Sequence, residues 1–158
     1  MDKNQALINY ILTCEPIYNS PLYFNFADVK NGINQFLTLS NDKNINKPYI
    51  DGSVKKMFSF TIISYLTISN NPIVKVEGIN NENISDMDTV QKLIDWIAEQ
   101  ERLHNYPNFG DNCLVEKIST TTDNPRLDQI DATQSNPLAR YSFTIQVEYI
   151  DNTDKLWN

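Results

Sequence analysis

The sequence predicts an α+β fold in which an antiparallel sheet of about four to five strands packs against two helices on one face. Long apolar strand-like runs are separated by loops rather than by crossover helices, which favours antiparallel pairing. Only two segments carry apolar residues at helical spacing. The last strand-like run, 138–150, alternates apolar and polar residues, as expected for a strand with one buried and one wet face.

The first half of the chain begins with a helix. Residues 3–14 place their apolar side chains on one helical face, and Asp2 can cap the first turn. Short strands are predicted at 22–26 and 33–39, with a turn at the dipeptide Asn31-Gly32 between them.

The middle of the chain contains the longest strand and the strongest helical pattern. Residues 40–53 are polar and rich in breakers, which predicts a long exposed loop, and such loops are usually functional or disordered. The apolar run 54–68 predicts a long strand. A helix is predicted over 86–103, with Ser85 or Asp86 as its N-cap.

The last third is predicted to form two strands, 113–121 and 138–150, around a second long exposed loop at 122–137. No linker or repeat divides the chain, so residues 1–158 are predicted to form a single domain. The predicted core lies between the sheet and the second helix. Its residues are Phe58, Phe60, Ile62, Val90, Leu93, Ile94, Ile97, Tyr141, Phe143, Ile145 and Val147.

Composition excludes several classes of protein. Of the 158 residues, 41% are hydrophobic and 21% are charged, as in a folded soluble domain. The net charge of −7 argues against nucleic-acid binding that depends on neutralising many phosphates. No apolar run is long enough to span a bilayer, and the N-terminus does not have the build of a signal peptide, so no membrane partner is expected. Cys14 and Cys113 fit a reducing compartment and exclude a four-cysteine zinc site.

The motifs of catalysis and cofactor binding are absent from the sequence. The four glycines stand far apart, and no serine sits in a nucleophile elbow. His104 is the only histidine. A nucleophilic pair of Cys113 and His104 can be imagined, but packing of the cysteine in the core is the simpler interpretation. We therefore expect a protein that is not an enzyme, with no catalytic residue, no cofactor and no metal.

Acidic pairs and tryptophans leave alternatives open. Asp86 with Asp88, and Asp151 with Asp154, could hold a divalent ion, but neither spacing matches a calcium loop, and helix capping explains the first pair. Trp96 lies beside the apolar stripe of its helix, which favours partial burial over a binding platform. Trp157 lies on a polar terminus. Such an aromatic residue is either tied to its own domain or placed on a neighbour.

From Ser53 to its end, the chain resembles a family of small phage proteins encoded between head and tail genes in phages of low-GC Gram-positive bacteria. None of the segments that carry the resemblance is a catalytic signature. They are N-P-I-V-K-V-E-G at 71–78, N-E-N-I-S-D-M at 81–87, V-Q-K-L-I-D-W-I at 90–97, T-D-N-P at 122–125 and L-A-R-Y-S-F-T-I-Q-V-E-Y at 138–149.

In the order and size of its elements, the chain also resembles the tail terminator proteins of long-tailed phages. That resemblance implies a hexameric ring in the virion, assembled in the host cytoplasm, that caps the tail tube and joins it to the head. The implied partners are other copies of the chain, the tube protein, a sheath if the tail contracts, and the neck connector, while DNA passes through the lumen without specific binding. A head-completion or stopper protein is the nearest alternative, and a small enzyme or ligand-binding domain is a more distant one.

Candidate interaction residues follow from these expectations. We predict that the loop 40–53, the loop 122–137 and the C-terminal tail contact ring neighbours or the tube. The residues concerned are Lys43, Lys47, Tyr49, Asp51, Arg126, Asp128, Leu156 and Trp157. The acidic composition further predicts a net negative inner wall of the ring, because such a wall repels DNA. Its carboxylates are assigned to Glu116, Asp123, Asp128 and Asp131, with Arg126 as the exception.

Overall fold

The computed structural model of the chain describes residues 2–14, 22–24, 34–39, 43–67, 82–122, 126–131 and 138–157. Two helices and seven strands lie within these ranges. In chain order they are α1 (Lys3–Ile11), β1 (Leu22–Phe24), β2 (Asn34–Leu39), β3 (Lys43–Pro48), β4 (Val54–Thr67), α2 (Glu82–Arg102), β5 (Cys113–Thr120), β6 (Arg126–Asp131) and β7 (Leu138–Asp151).

Two fourteen-residue strands form the centre of the sheet. β4 and β7 pair antiparallel along their whole length, from Val54 opposite Asp151 to Thr67 opposite Leu138. β2 and β3 share the other edge of β4, and β5 and β6 share the other edge of β7. The described sheet is therefore four strands wide along most of its length, and β1 adds a fifth at one corner. The predicted α+β class is confirmed.

Alternation along the central strands decides which side chains form the core. Phe60 lies opposite Ile145 and Ile62 opposite Phe143, and all four side chains are buried on the face that carries the helices. Every predicted core residue is buried, which confirms that prediction. Ile63 pairs with Ser142 on the opposite face of the sheet, in agreement with the expectation that part of this strand is apolar on both faces.

Both helices pack on the same face of the sheet. The rings of Tyr10 in α1 and Trp96 in α2 lie 5.1 Å apart, and the Tyr10 hydroxyl donates a 2.8 Å hydrogen bond to the carbonyl of Asn105. The ammonium group of Lys3 lies 5.2 Å from the centre of the Tyr149 ring, on the core face of β7. Trp96 is partly buried against the core, as predicted.

The two predicted long loops are wrong over part of their length. β3 occupies 43–48 within the first, and β6 occupies 126–131 within the second. Neither segment is apolar enough to suggest a strand. Each pairs with half of a long central strand whose backbone N–H and C=O groups need partners along their full length. Backbone pairing with β4 and β7 accounts for these two edge strands.

The helix ends also differ from prediction. α2 begins at Glu82, so Ser85 and Asp86 lie inside the helix and neither is its N-cap. Asp2 does cap α1, since its side chain accepts a hydrogen bond from the backbone N–H of Asn4.

β1 and β2 pair parallel, unlike the other strand pairs described. The turn predicted between them at Asn31-Gly32 lies outside the described residues.

Candidate protein-docking site

The hairpin between β3 and β4 ends in a well-bonded turn. The N–H of Tyr49 donates to the carbonyl of Ser53 at 2.8 Å, and the N–H of Gly52 donates to the carbonyl of Tyr49 at 3.0 Å. Asp51 Oδ1 accepts hydrogen bonds from the N–H of Ser53 at 3.0 Å and from its hydroxyl at 2.6 Å. These bonds, with a smaller effect from Lys155, lower the pKa of the Asp51 carboxyl. The turn is thus held in one conformation by its own residues.

The C-terminal tail folds back onto this turn. After β7 ends, the N–H of Asn152 donates to the carbonyl of Asn112 at 2.7 Å, beside the start of β5. Further along, the N–H of Leu156 donates to the carbonyl of Asp51 at 2.6 Å, and Lys155 Nζ lies 3.8 Å from Asp51 Oδ2. The tail therefore crosses the end of the sheet from β5 to the β3–β4 hairpin.

Gly52 permits the close approach of tail and turn. Its φ of +90° is a conformation that residues with side chains rarely adopt. A Cβ atom at this position would lie 2.3 Å from the backbone oxygen of Asp154, far inside van der Waals contact, and 3.5 Å from the Leu156 side chain. The glycine is needed both for the backbone conformation and for the space.

The base of the tail is fixed by Asp151. Its carboxylate accepts a 2.8 Å hydrogen bond from Lys56 Nζ and further bonds from the N–H and hydroxyl of Thr153, at 2.9 and 2.6 Å. These contacts lower the pKa of Asp151 well below its usual range, with the bond from Lys56 as the largest cause. The Asp151 carboxylate thus anchors the base of the tail. Among the described residues, no group of three or more His, Cys, Asp or Glu side chains could hold a metal ion.

Large apolar side chains project from this anchored backbone. Ile50 at the turn is 93% exposed, and Leu156 and Trp157 on the tail are 72% and 56% exposed. Tyr49 is also exposed. We call these four residues the tip–tail knob. Exposed apolar patches on soluble proteins often mark interaction sites.

The structure divides the predicted interaction residues into two groups. Tyr49, Asp51, Leu156 and Trp157 meet at the knob, and Lys47 lies nearby on β3, opposite Lys55. Lys43 is at the far end of the same strand. Arg126 and Asp128 lie on β6, which pairs with 138–142 of β7. Ser142 and Asp151 are nine positions apart on β7, so β6 and the base of the knob are about 30 Å apart.

The carboxylates assigned to a negative inner wall do not form one group. Glu116 lies on β5, where its carboxylate is 3.2 Å from Lys55 Nζ. Asp131 ends β6 at the other end of the sheet, and Asp123 lies outside the described residues. The ion pair with Lys55 partly neutralises Glu116, which weakens its assignment to a charged wall.

Sequence reasoning missed a groove between α2 and β5. It has a volume of about 220 Å³ and is lined by Ile97, Ala98, Glu101 and residues 117–120. Ile97 and Ile118 are fully buried beneath it, and Glu101 Oε2 accepts a 2.8 Å hydrogen bond from the N–H of Ile118. The lining residues come from two segments about twenty positions apart, so no local pattern could have indicated the groove. We call it the α2–β5 groove.

The residues weighed as a nucleophilic pair have other neighbours. His104 is exposed just after α2, and its Nδ1 lies 3.0 Å from the Tyr106 hydroxyl. Cys14 is buried in the core, and Cys113 is half-buried at the start of β5, opposite Asp151. The packed positions of both cysteines agree with the interpretation of them as core residues.

Comparison of the chain with models of protein families and with curated proteins finds no match. Neither described helix is both long and apolar enough to cross a membrane. Two surface features of the described residues can support a function, namely the tip–tail knob and the α2–β5 groove.

Proposed function

We propose that the chain is a structural subunit of a phage neck or tail, and specifically a tail terminator that forms a hexameric ring on the tail tube. The support is the resemblance of the segments from Ser53 onward to phage proteins encoded between head and tail genes. The α+β fold, with two helices on one face of an antiparallel sheet, is the class that this resemblance implies.

The tip–tail knob is the observation that carries the proposal. Ile50, Leu156 and Trp157 are exposed, yet the backbone beneath them is fixed by hydrogen bonds between turn and tail. A rigid exposed apolar surface suits protein association, because little conformational entropy is lost when a partner covers it. A subunit that must join neighbours and a tube needs such surfaces.

Deletion of the gene from its phage, followed by electron microscopy of the lysate, tests the role. Loss of a terminator should leave filled heads that are separate from tails, and tails of uncontrolled length because nothing caps the growing tube. Tails of normal length beside heads that lose their DNA would instead indicate a stopper. Normal virions would refute a role in the neck or tail.

The mass of the purified protein tests the ring independently. Light scattering should give an assembly of six copies of the 18.2 kDa chain, alone or on tubes of the tail protein. A protein that remains monomeric in both conditions would contradict a ring. For the deletion experiment, the control is complementation by the wild-type gene and by a Leu12→Asp variant, since Leu12 is an exposed residue at the end of α1 that is not part of the knob.

A further inference from the structure

We propose that Glu101 closes the outer edge of β5 against the addition of a strand from another copy of the chain. β5 is the last strand on its side of the described sheet, so no described strand pairs with that edge. Glu101 Oε2 accepts a 2.8 Å hydrogen bond from the backbone N–H of Ile118 there. This contact lies within one subunit, so it does not depend on whether the chain forms a ring.

The sequence of β5 is well suited to pairing with other strands. Its eight residues, C-L-V-E-K-I-S-T, include neither proline nor glycine, and its one glutamate and one lysine cancel in charge. Leu114 near its start is 58% exposed. Short segments with high β-propensity and no net charge are those that pair edge to edge when they are exposed. An edge of this composition needs protection.

Alternation along β5 identifies the backbone groups at the outer edge. In an antiparallel pair, the N–H and C=O of one residue face the partner strand and those of the next residue face away. The N–H of Thr121 donates to the carbonyl of Thr144 on the β7 side at 2.9 Å. The backbone groups of Thr120 and Ile118 therefore face outward, and the bond from Ile118 to α2 agrees with that assignment. An added strand would use these two residues.

The Glu101 carboxylate blocks this row by hydrogen bonding and by charge. An added strand would offer a carbonyl oxygen to the N–H of Ile118, which is already bonded to the carboxylate. Hydrogen bonds to a charged acceptor are stronger than those between neutral groups, so the carbonyl is the weaker competitor. The negative charge would also repel that oxygen. Beside the end of the strand, Thr120 Oγ1 donates to the carbonyl of Thr122 at 2.8 Å and occupies a further group.

The first half of β5 is protected in a different way. The register of its ladder with β7 shifts between Val115 and Lys117. Irregularities of this kind bend a strand and interrupt the row of groups that a neighbour would need. The second half, 117–120, has a regular ladder. Glu101 is therefore placed where the edge is otherwise most able to accept a strand.

The end of α2 holds Glu101 against β5. The N–H of His104 donates to the carbonyl of Glu101 at 3.1 Å. His104 has a φ of +53°, the left-handed conformation with which many helices end. Its Nδ1 lies 3.0 Å from the Tyr106 hydroxyl. Burial and the nearby Glu101 carboxylate raise the pKa of Tyr106, so this carboxylate lies close to Tyr106 as well as to β5.

Removal of the carboxylate should open the edge. In Glu101→Ala, the fraction of protein in assemblies larger than those of the wild type at equal concentration should rise at least about tenfold, which is the effect of losing one hydrogen bond to a charged group. Sedimentation velocity measures that fraction. Glu101→Gln keeps an acceptor oxygen for the N–H of Ile118, so it should associate less than the alanine variant. Equal association of the two variants would show that the hydrogen bond does not close the edge.

A proline tests whether β5 is the site of association. Thr120→Pro removes an outward N–H, and proline is tolerated where the N–H of an edge strand faces solvent. The double variant Glu101→Ala/Thr120→Pro should lose the additional association. Glu99→Ala is the matched control, because it removes an exposed carboxylate of α2 that pairs with Arg102 rather than with β5. This control should behave as the wild type does.

Hydrogen exchange of one amide measures the contact directly. The Ile118 amide should exchange at least about tenfold more slowly in the wild type than in Glu101→Ala. A folded Glu101→Ala variant that associates no more than the wild type, or association that persists with Thr120→Pro, would refute the proposal. If Glu101→Ala does not fold, the wild-type amide decides. Protection of Ile118 close to that of Ser119, which faces β7, supports the contact, and exchange at the rate of an exposed amide overturns it.

Discussion

The backbone N–H of Leu156 donates a 2.6 Å hydrogen bond to the carbonyl oxygen of Asp51, joining the end of the chain to the turn between β3 and β4. The ion pair between Lys155 and Asp51 lies beside this bond. Among the contacts described, the bond from Leu156 to Asp51 is the one backbone hydrogen bond between the tail and the hairpin. This link converts two separate exposed segments into one rigid surface, which is why Ile50, Leu156 and Trp157 can act together.

The first prediction concerns Gly52→Ala. The change should destabilise the protein by about 1–3 kcal/mol, because alanine resists the positive φ and its Cβ meets the backbone oxygen of Asp154. Urea unfolding measures the loss. Gly110→Ala is the matched control, since Gly110 has a φ of +104° but nothing within 4 Å of the added atom. Equal losses in the two variants would show that Gly52 does not support the tail.

The second prediction concerns the core. Phe143→Ala should lower the free energy of unfolding by about 3–5 kcal/mol, and Ile97→Ala by about 2–5 kcal/mol, because each leaves a cavity between sheet and helix. Leu103→Ala should change it by less than about 0.5 kcal/mol, since Leu103 is exposed. Thermal and urea unfolding check all three values. A small effect of Phe143→Ala would mean that the packing of β7 against α2 is wrong.

The third prediction concerns acid. The bonds from Lys56 and Thr153 hold the pKa of Asp151 below its ordinary value of 3.8, so the folded state binds that proton less readily than the unfolded state. Asp151 therefore contributes stability that is fully present above about pH 5 and is lost as the pH falls below 3.8 towards the folded-state pKa. Unfolding in urea at pH 7 and pH 3 measures the loss.

Variants assign that acid sensitivity to its source. Asp151→Asn should be less stable than the wild type at pH 7, and the difference should shrink at pH 3. Asp111→Asn is the control, because Asp111 is exposed in the turn before β5. A difference between wild type and Asp151→Asn that is the same at both pH values would contradict the prediction.

The fourth prediction concerns burial of the knob on assembly. The chain has two tryptophans, so Trp96→Phe leaves Trp157 as the only one. Its exposed indole should emit at long wavelength and be quenched readily by acrylamide in the monomer. Assembly should shift the emission to shorter wavelength and reduce quenching. Emission that is unchanged in an assembled sample would place Trp157 outside every subunit contact.

The variant that keeps only Trp96 serves as the control for the fluorescence measurement. Trp157→Phe keeps Trp96, which packs against Tyr10 and the core, so its emission should be short in wavelength in monomer and assembly alike. A shift in this variant would report a change within the subunit rather than at its surface.

Parts of the candidate site could be predicted from the sequence. Composition and the resemblance to ring subunits predict Tyr49, Asp51, Leu156 and Trp157 as interaction residues, and the structure places the turn and the tail that carry them side by side. Arg126 and Asp128 were predicted with them but lie at the opposite end of the sheet. Strand order and register decide which distant segments meet, and no local pattern encodes that order.

The sequence by itself determined the α+β class and the core. Spacing of 3.6 residues in α2 and alternation along β7 each identify a buried face, because burial of apolar side chains follows the geometry of the single element. Only the tertiary structure decided that 43–48 and 126–131 are strands, that the tail bonds to Asp51 and that a groove lies beside β5. These features depend on backbone hydrogen bonds and on contacts between segments that are distant in the chain, and such interactions leave no periodic signal in the side chains.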